Sequence, residues 1–392
     1  MKKLLLLCLL LPFSCRFSEQ TDHPESIPYW RDRAELRSDA LGLKLFGELV
    51  GETEGNVVFS PAGAEDLLRM LMNSAAGTTL AEMKKLPPMG DGSVKTAMQP
   101  HTAQALFVVE DRTELQLHDN ALPGVQRHRV PEAQALQKIN SWVKKQTKGN
   151  IGTAISELPW KTALVPVSAV FLNEKWAMPF GSNDTQQEDF HLKGGRTVKV
   201  PMMQRHTTLC RYAEAPGWQA VALFYRKDGR PGESGCFIGI LPRGDARDFA
   251  RALTPAKWRQ IRIALRQSKP EQCHVALPRF STAPMAMDLS PALKRMGMNA
   301  AFSLSADFSP LATPKPGWFL QVDKIRQVAC VKLNEEGTEA AAATVSTMPL
   351  SCSVNRPPQP VHSIRFDKPF IWAVTDLSSN AAPWFLGLTA EP

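Results

Sequence analysis

Apolar residues recur at helical spacing between Asp39 and Val50, where Leu41, Leu45, Phe46 and Leu49 share one face and Gly51 supplies a stop. A first helix is predicted there, then a short strand over Asn56 to Phe59. Ser60-Pro61 sets an N-cap serine before a proline at the first helical position, opening a second helix over Ala62 to Asn73. Thr79 and Glu82 have capping-box spacing for a third, shorter helix that ends before Pro87-Pro88. A fourth is expected over Glu132 to Thr147, with Leu136, Ile139, Trp142 and Val143 on one face and Gly149 after its end. The period then changes. Short apolar runs at 163–172, 197–203, 220–224, 236–241, 274–277, 328–333, 371–374 and 384–388 read as strands. Helices early and strands late make an α+β pattern, not alternating βαβ units. Without an internal repeat or low-complexity linker, 36–392 reads as one domain, preceded by an N-terminal extension at 15–35.

Three stretches depart from this pattern. Pro166, inside a predicted central strand, marks a bulge or an edge position. The polar, proline-bearing interval 337–362 is far longer than an ordinary connection. At its root, Asn334 to Thr344 reads two ways. As a strand, its residues Thr338, Ala340, Ala342 and Thr344 form a small uncharged face while Glu339 points the other way. Yet alanine is depleted in strands and threonine and glycine compete for turns, so nothing local holds the segment in a sheet.

The chain has 392 residues, 43% hydrophobic and 21% charged, which excludes disordered, fibrous and membrane-embedded classes. Met1-Lys2-Lys3 followed by Leu4 to Leu11 has the charged and apolar parts of a secretory signal over 1–14, and is too short to span a bilayer. The expected destination is extracellular or periplasmic. Cleavage near Ser14 would make Cys15 the first residue and a candidate lipid anchor, although Pro12 and Phe13 fit a lipoprotein box poorly. Two of the lysines behind the net charge of +8 leave with that leader, and no compact nucleic-acid motif accompanies the rest. The basic run Lys257, Arg259, Arg262, Arg266 and Lys269 is read as a solvated face, with a polyanion site as the alternative.

No catalytic constellation stands out. Gly232-Glu233-Ser234-Gly235 is similar to the surroundings of a trypsin-like nucleophile, but no histidine or aspartate in context supports a triad, and a turn is the better reading. HExxH, P-loop and dinucleotide patterns are missing, so no cofactor or metal is expected. Beyond Cys8 and Cys15 of the leader region, Cys210, Cys236, Cys273, Cys330 and Cys352 remain, odd in number and without CxxC spacing, which indicates neither a disulfide framework nor a zinc site. Asn183-Asp184-Thr185 is a glycosylation sequon, meaningful only in a glycosylating host.

The stretch Gly337-Thr338-Glu339-Ala340-Ala341-Ala342-Ala343-Thr344, followed after the long loop by Phe366-Asp367-Lys368-Pro369-Phe370, closely resembles the reactive-loop region of serpins. Asn56 to Pro61, Asn173 to Phe180, Val198 to Met203, Met296 to Met298, Ala301 to Ser303, Ala306 to Ser309 and Phe385 to Gly387 resemble further serpin signatures, in the family's order from residue 35 onward. The resemblance implies three β-sheets, about nine helices and an exposed reactive-centre loop. It also implies a monomer that traps a protease by a single-use mechanism: the loop is cut as a substrate, and the hinge then enters the central sheet with the acylated protease attached. A non-inhibitory binding or chaperone serpin is the alternative; a pure substrate, whose slow insertion lets the protease escape, is a third reading.

By the same resemblance, Glu335 is an acidic hinge residue whose cationic partner is Arg279, and Trp176 packs where the loop enters the sheet. Ser60, Gly63, Ser168 and Gln327 match the polar cluster where the sheet parts. Glycine, serine and glutamine replace the family's serine, asparagine and histidine at the last three, and a Gln327–Ser168 hydrogen bond is expected in compensation. Counting from Gly337 places the cleaved bond at Ser351-Cys352, whereas counting back from Phe366 lands near Pro358. Leu350 and Met348 suit chymotrypsin-like or elastase-like proteases and Ser351 an elastase-like one, while Arg356 precedes a proline that trypsin-like enzymes cleave poorly. Cys352 is either a plain exposed thiol or a redox control on the bait.

Overall fold

The structure, a computed structural model, describes residues 39–90, 101–109, 115–118, 125–158, 164–227, 230–282, 285–314, 319–338, 362–378 and 382–392. The second helix, Pro61–Asn73, opens as its sequence dictates, with Ser60 Oγ accepting from the Gly63 N–H at 3.1 Å. That bond satisfies one of the donors a helix start leaves open. The first helix spans Ala40–Glu52 and buries Leu41, Leu45, Phe46 and Leu49, and the fourth spans Glu132–Gln146. The third, Gly77–Met83, is not closed by a capping box. Thr79 Oγ1 instead accepts from the Asp307 N–H at 2.9 Å, and Glu82 Oε2 from Asn299 and Ala300 at 2.7 and 2.6 Å. Donors brought by tertiary packing have outcompeted the local cap. With Ala246–Arg251, Pro255–Gln267 and Ser290–Arg295, seven α-helices lie among the described residues.

A five-stranded sheet has the order Met285–Asp288, Arg326–Ala329, Leu164–Phe171, His101–Val109, Gln126–Val130. The last two strands interrupt a region that reads as helical: Ala105 to Val109 are all buried, a continuous apolar run with no diagnostic period, while Gln126–Val130 is polar and largely exposed, with no apolar alternation to mark it. Arg326–Ala329 and Leu164–Phe171 run parallel and pair directly, Gln327 opposite Ser168. That ladder starts at Val167, so Pro166 has a strand neighbour on one side only, the position that tolerates proline.

A nine-stranded sheet is threaded by the long strand Thr197–Ala215, which pairs with Thr185–His191 and Pro270–Pro278 before turning to Trp218–Lys227. This strand joins two of the three expected sheets into one. Its far edge is His362–Arg365, parallel to Pro270–Pro278, where the chain emerges from the long loop. Ser234 lies in the strand Arg230–Pro242, not in a turn, within a register shift between Pro231 and Cys236. The single strand expected at 328–333 is broken into Arg326–Ala329 and Lys332–Leu333. Among the described residues no helix is long and apolar enough to cross a membrane.

The basic run proves not to be one face. Arg262 is 6% exposed and turns inward, its guanidinium 3.5 Å from Asp39 Oδ2 and donating to the Asp376 carbonyl at 3.4 Å. Lys257 is drawn onto the Phe249 ring, Nζ 3.5 Å from its centroid. Helical geometry sets Arg259 and Arg266 on the side opposite Lys257, so a polyanion would meet a weaker site than the sequence offers.

Glu65, buried in the second helix, bonds the Arg69 guanidinium and the Gly90 N–H at 3.0 and 3.1 Å. Burial outweighs these partners and raises its carboxyl from 4.5 to about 7. A raised folded-state value favours the fold at low pH, with that contribution lost as pH climbs from 4.5 through about 7. The full difference corresponds to roughly 3 kcal/mol. Glu65→Gln is therefore expected to flatten this part of the stability–pH profile and to raise stability at pH 8, as denaturant melts across pH would show. An unchanged slope would refute it.

Candidate functional site

At mid-sheet the parallel strands Arg326–Ala329 and Leu164–Phe171 are in contact, but at one end their continuations are not. Leu333 pairs with Thr338 and Thr338 pairs with Glu174, so the short strand Gly337–Thr338 stands between Lys332–Leu333 and Glu174–Lys175. Only glycine fits the first of these positions. A Cβ on Gly337 would lie 2.1 Å from the Glu174 carbonyl oxygen and 2.8 Å from Lys175 Cα.

Thr338 is fully buried, and its hydroxyl shares a 2.6 Å hydrogen bond with that of Tyr225. Burial pushes the Tyr225 phenol well above its ordinary range, opposed in part by this bond, so the phenol keeps its proton. Trp176 stacks on Tyr225 at 4.8 Å and 7°, with Phe180 and Phe237 edge-on at 6.3 and 6.0 Å. The Trp176 indole N–H donates to the Asn334 carbonyl, and its backbone N–H to that of Glu336, both at 2.9 Å. Asn334 Oδ1 accepts from the N–H groups of Glu336 and Gly337 at 3.0 and 3.1 Å and so closes the turn that aims the chain into the gap.

Glu335, next in this turn, pairs with the Arg279 guanidinium and accepts from Thr185 Oγ1 at 2.7 Å. Burial pushes its carboxyl up, but the bonds from Arg279 and Thr185 win and hold it below the ordinary value. The clamp is thus present at neutral pH and is lost as pH falls below the carboxylate range.

Midway down the sheet, Ser60, Ser168 and Gln327 are all fully buried. The expected Gln327–Ser168 bond does not form. Gln327 reaches instead to the helix start, Oε1 accepting from the Ser60 N–H at 2.7 Å and Nε2 donating to the Ser60 carbonyl at 2.8 Å. These two bonds to one residue engage both ends of the amide, and Ser168 Oγ is left without a protein partner. Gly63 is enclosed by the same group, a Cβ there lying 2.6 Å from Val170 Cγ2 and 3.1 Å from Gln327 Nε2.

The serpin (serine protease inhibitor) family profile matches residues 124–392. The chain belongs to the serpin family. It is 29% identical to Serpin A9 of Mus musculus over 89% of this chain and 86% of that protein. With an uncharacterized serpin-like protein of Thermococcus kodakarensis it shares 30% identity over 89% of this chain and 83% of the other. Among solved structures, the native state of the thermophilic serpin tengpin superposes with a TM-score of 0.78 at 20% identity, covering 94% of this chain and 96% of that one. Serpins as a family are protease inhibitors, not enzymes.

In this serpin the structure brings Trp176, Arg279, Glu335, Gly337 and Thr338 together at the sheet's open end, and Ser60, Gly63, Ser168 and Gln327 behind its closed middle. Glu339, Ala340 to Thr344, Met348, Leu350, Ser351, Cys352 and Arg356 lie outside the described residues, as do the leader and Cys15. Sequence reasoning did not find Tyr225 or Thr185 as partners of the hinge; each is distant in the chain, and no local pattern marks them. Asn183 is exposed in a 3-10 turn, as a sequon requires. Glu335→Lys sets a cation beside Arg279 and removes the acceptor for Thr185. The expected result is faster conversion of monomer to polymer or loop-inserted forms on mild warming, followed by size exclusion. A variant that stays monomeric with unchanged Tm would count against the clamp.

Proposed function

We propose that this serpin is a single-use inhibitor of serine proteases, with cysteine proteases as possible further targets, and that it traps the acyl-enzyme by drawing the cut loop into the five-stranded sheet. The observation that carries this reading is Thr338, seated between Leu333 and Glu174 while the strands below it are still paired. Insertion is then the continuation of a strand already begun. The following alternate residues, Ala340, Ala342 and Thr344, are small and uncharged. About fifteen inserted residues at roughly 1 kcal/mol per hydrogen bond give about 15 kcal/mol before entropy costs, comparable to the stability of a domain.

The proposed cleaved bond is Ser351-Cys352, and Leu350 and Met348 before it favour a chymotrypsin-like or elastase-like target. The leader at 1–14 supports export. Incubation with a panel of serine and cysteine proteases tests the reading. A denaturant-resistant covalent complex is expected, together with a released C-terminal peptide starting at Cys352. No complex with any protease, and no rise in Tm after loop cleavage, would transfer support to a non-inhibitory binding role.

A further inference from the structure

The cysteines look unrelated along the chain, yet two of them meet across a pair of neighbouring strands. In the ladder between Thr197–Ala215 and Pro270–Pro278, Cys210 stands opposite Glu271 and Cys273 opposite Thr208, so the two thiols are diagonal neighbours on one face. The register shifts just beyond, between Cys273 and Val275, and a bulge of this kind increases local twist. The Cys273 thiol donates to the Glu271 carbonyl, Sγ 3.4 Å from the oxygen. Both cysteines are free and buried, at 1% and 0% exposure, in one apolar cluster. The other described cysteines, Cys236 and Cys330, belong to different clusters and do not compete for either.

We propose that Cys210 and Cys273 are a redox-active pair that closes to a disulfide between strands Thr197–Ala215 and Pro270–Pro278 when the chain folds in an oxidising compartment. Both thiols are closed off in the folded chain, so exchange takes place while the two strands are still open, and either thiol can begin it. Take Cys273 as the first thiolate. It displaces one thiolate from a small disulfide such as oxidised glutathione to give a mixed disulfide. Cys210 then loses its proton, attacks the Cys273 sulfur and expels the second thiolate. Two electrons pass from the pair to the small disulfide, which leaves as two thiols carrying the two protons.

The bridge would act where the long loop is anchored. Cys273 is the register partner of His362, the first residue of the strand that leaves that loop. His362 Nε2 lies 2.8 Å from Glu271 Oε2, and its ring stacks on Tyr212 at 4.2 Å. Tying Pro270–Pro278 to Thr197–Ala215 thus fixes the ladder on which the distal end of the loop rests. The chemistry does not depend on whether the protein inhibits.

Unfolding the full chain and refolding it across a series of glutathione redox buffers, with peptide mapping of the soluble product, tests the proposal. A Cys210–Cys273 peptide pair lacking two hydrogens is expected. The oxidised protein should melt roughly 3 to 6 °C above the dithiothreitol-reduced form, a difference absent from Cys273→Ala. Refolded protein in which both thiols accept iodoacetamide after denaturation at every redox ratio would overturn it, as would either cysteine pairing elsewhere. The mapping uses the wild-type chain, so it decides the matter even where the alanine variant fails to fold.

Discussion

Replacing Thr338 by aspartate is expected to abolish protease trapping while leaving the loop cleavable. The Thr338 side chain is fully enclosed, bonded to the Tyr225 hydroxyl, and its register partner is Glu174. Burial already pushes the Glu174 carboxyl up, and a second carboxylate beside it would be a buried like charge. Uncompensated, such a charge costs about 3 kcal/mol or more, enough to expel residue 338 from the uncut sheet, so that insertion of the cut loop must bury it afresh at about a 100-fold disadvantage against release of the cut product. The measurement is the ratio of denaturant-resistant complex to cleaved serpin on gels at increasing inhibitor-to-protease ratios. Thr338→Ser keeps the hydroxyl and should trap normally. An aspartate variant that traps as well as wild type would show that entry at Thr338 plays no part in inhibition.

The second large effect is expected at Gln327→Leu. Leucine fills similar space but leaves the Ser60 N–H without the acceptor Gln327 gives it at 2.7 Å, while the Ser60 carbonyl loses its 2.8 Å bond and keeps the one from the Ala64 N–H. One buried donor left unpaired costs about 1 to 3 kcal/mol, or a Tm loss of about 1 to 4 °C in a chain of this size. Because Gln327 also sits on the strand directly paired with Ser168, the loss releases the sheet's middle from the helix start behind it. Polymer formation on warming should accelerate together with the fall in Tm. A variant with wild-type Tm and no added polymer would remove Gln327 from control of sheet opening.

Much of the fold is legible because its instructions are local. Ser60-Pro61 caps and starts a helix through bonds within four residues, and the core strands declare themselves as short apolar runs. Thr79 and Glu82 show the limit of that logic: the same residues that spell a capping box are used to hold Asp307, Asn299 and Ala300. Arg262 shows it again, a basic residue in a basic run that is carried inward to Asp39. Charge is visible in a sequence, but the direction in which a side chain is drawn is set by groups far away in the chain.

The stretch Asn334 to Thr344 carries the same division. The sequence by itself determined that its alternate residues are small enough to enter a sheet, that Gly337 begins them, and that nothing local commits them to either state. Only the tertiary structure decided that Gly337 and Thr338 are already inside and that the strands beyond are still closed. Arg279 on Glu335 was already implied by resemblance, but only the structure supplied the other partners that hold this balance: Tyr225 under Thr338, Thr185 on Glu335, and the Ser60 backbone on Gln327. The physical reason is that side-chain size and backbone preference belong to each residue alone, whereas a hydrogen bond belongs to two groups and exists only once the fold has brought them within reach.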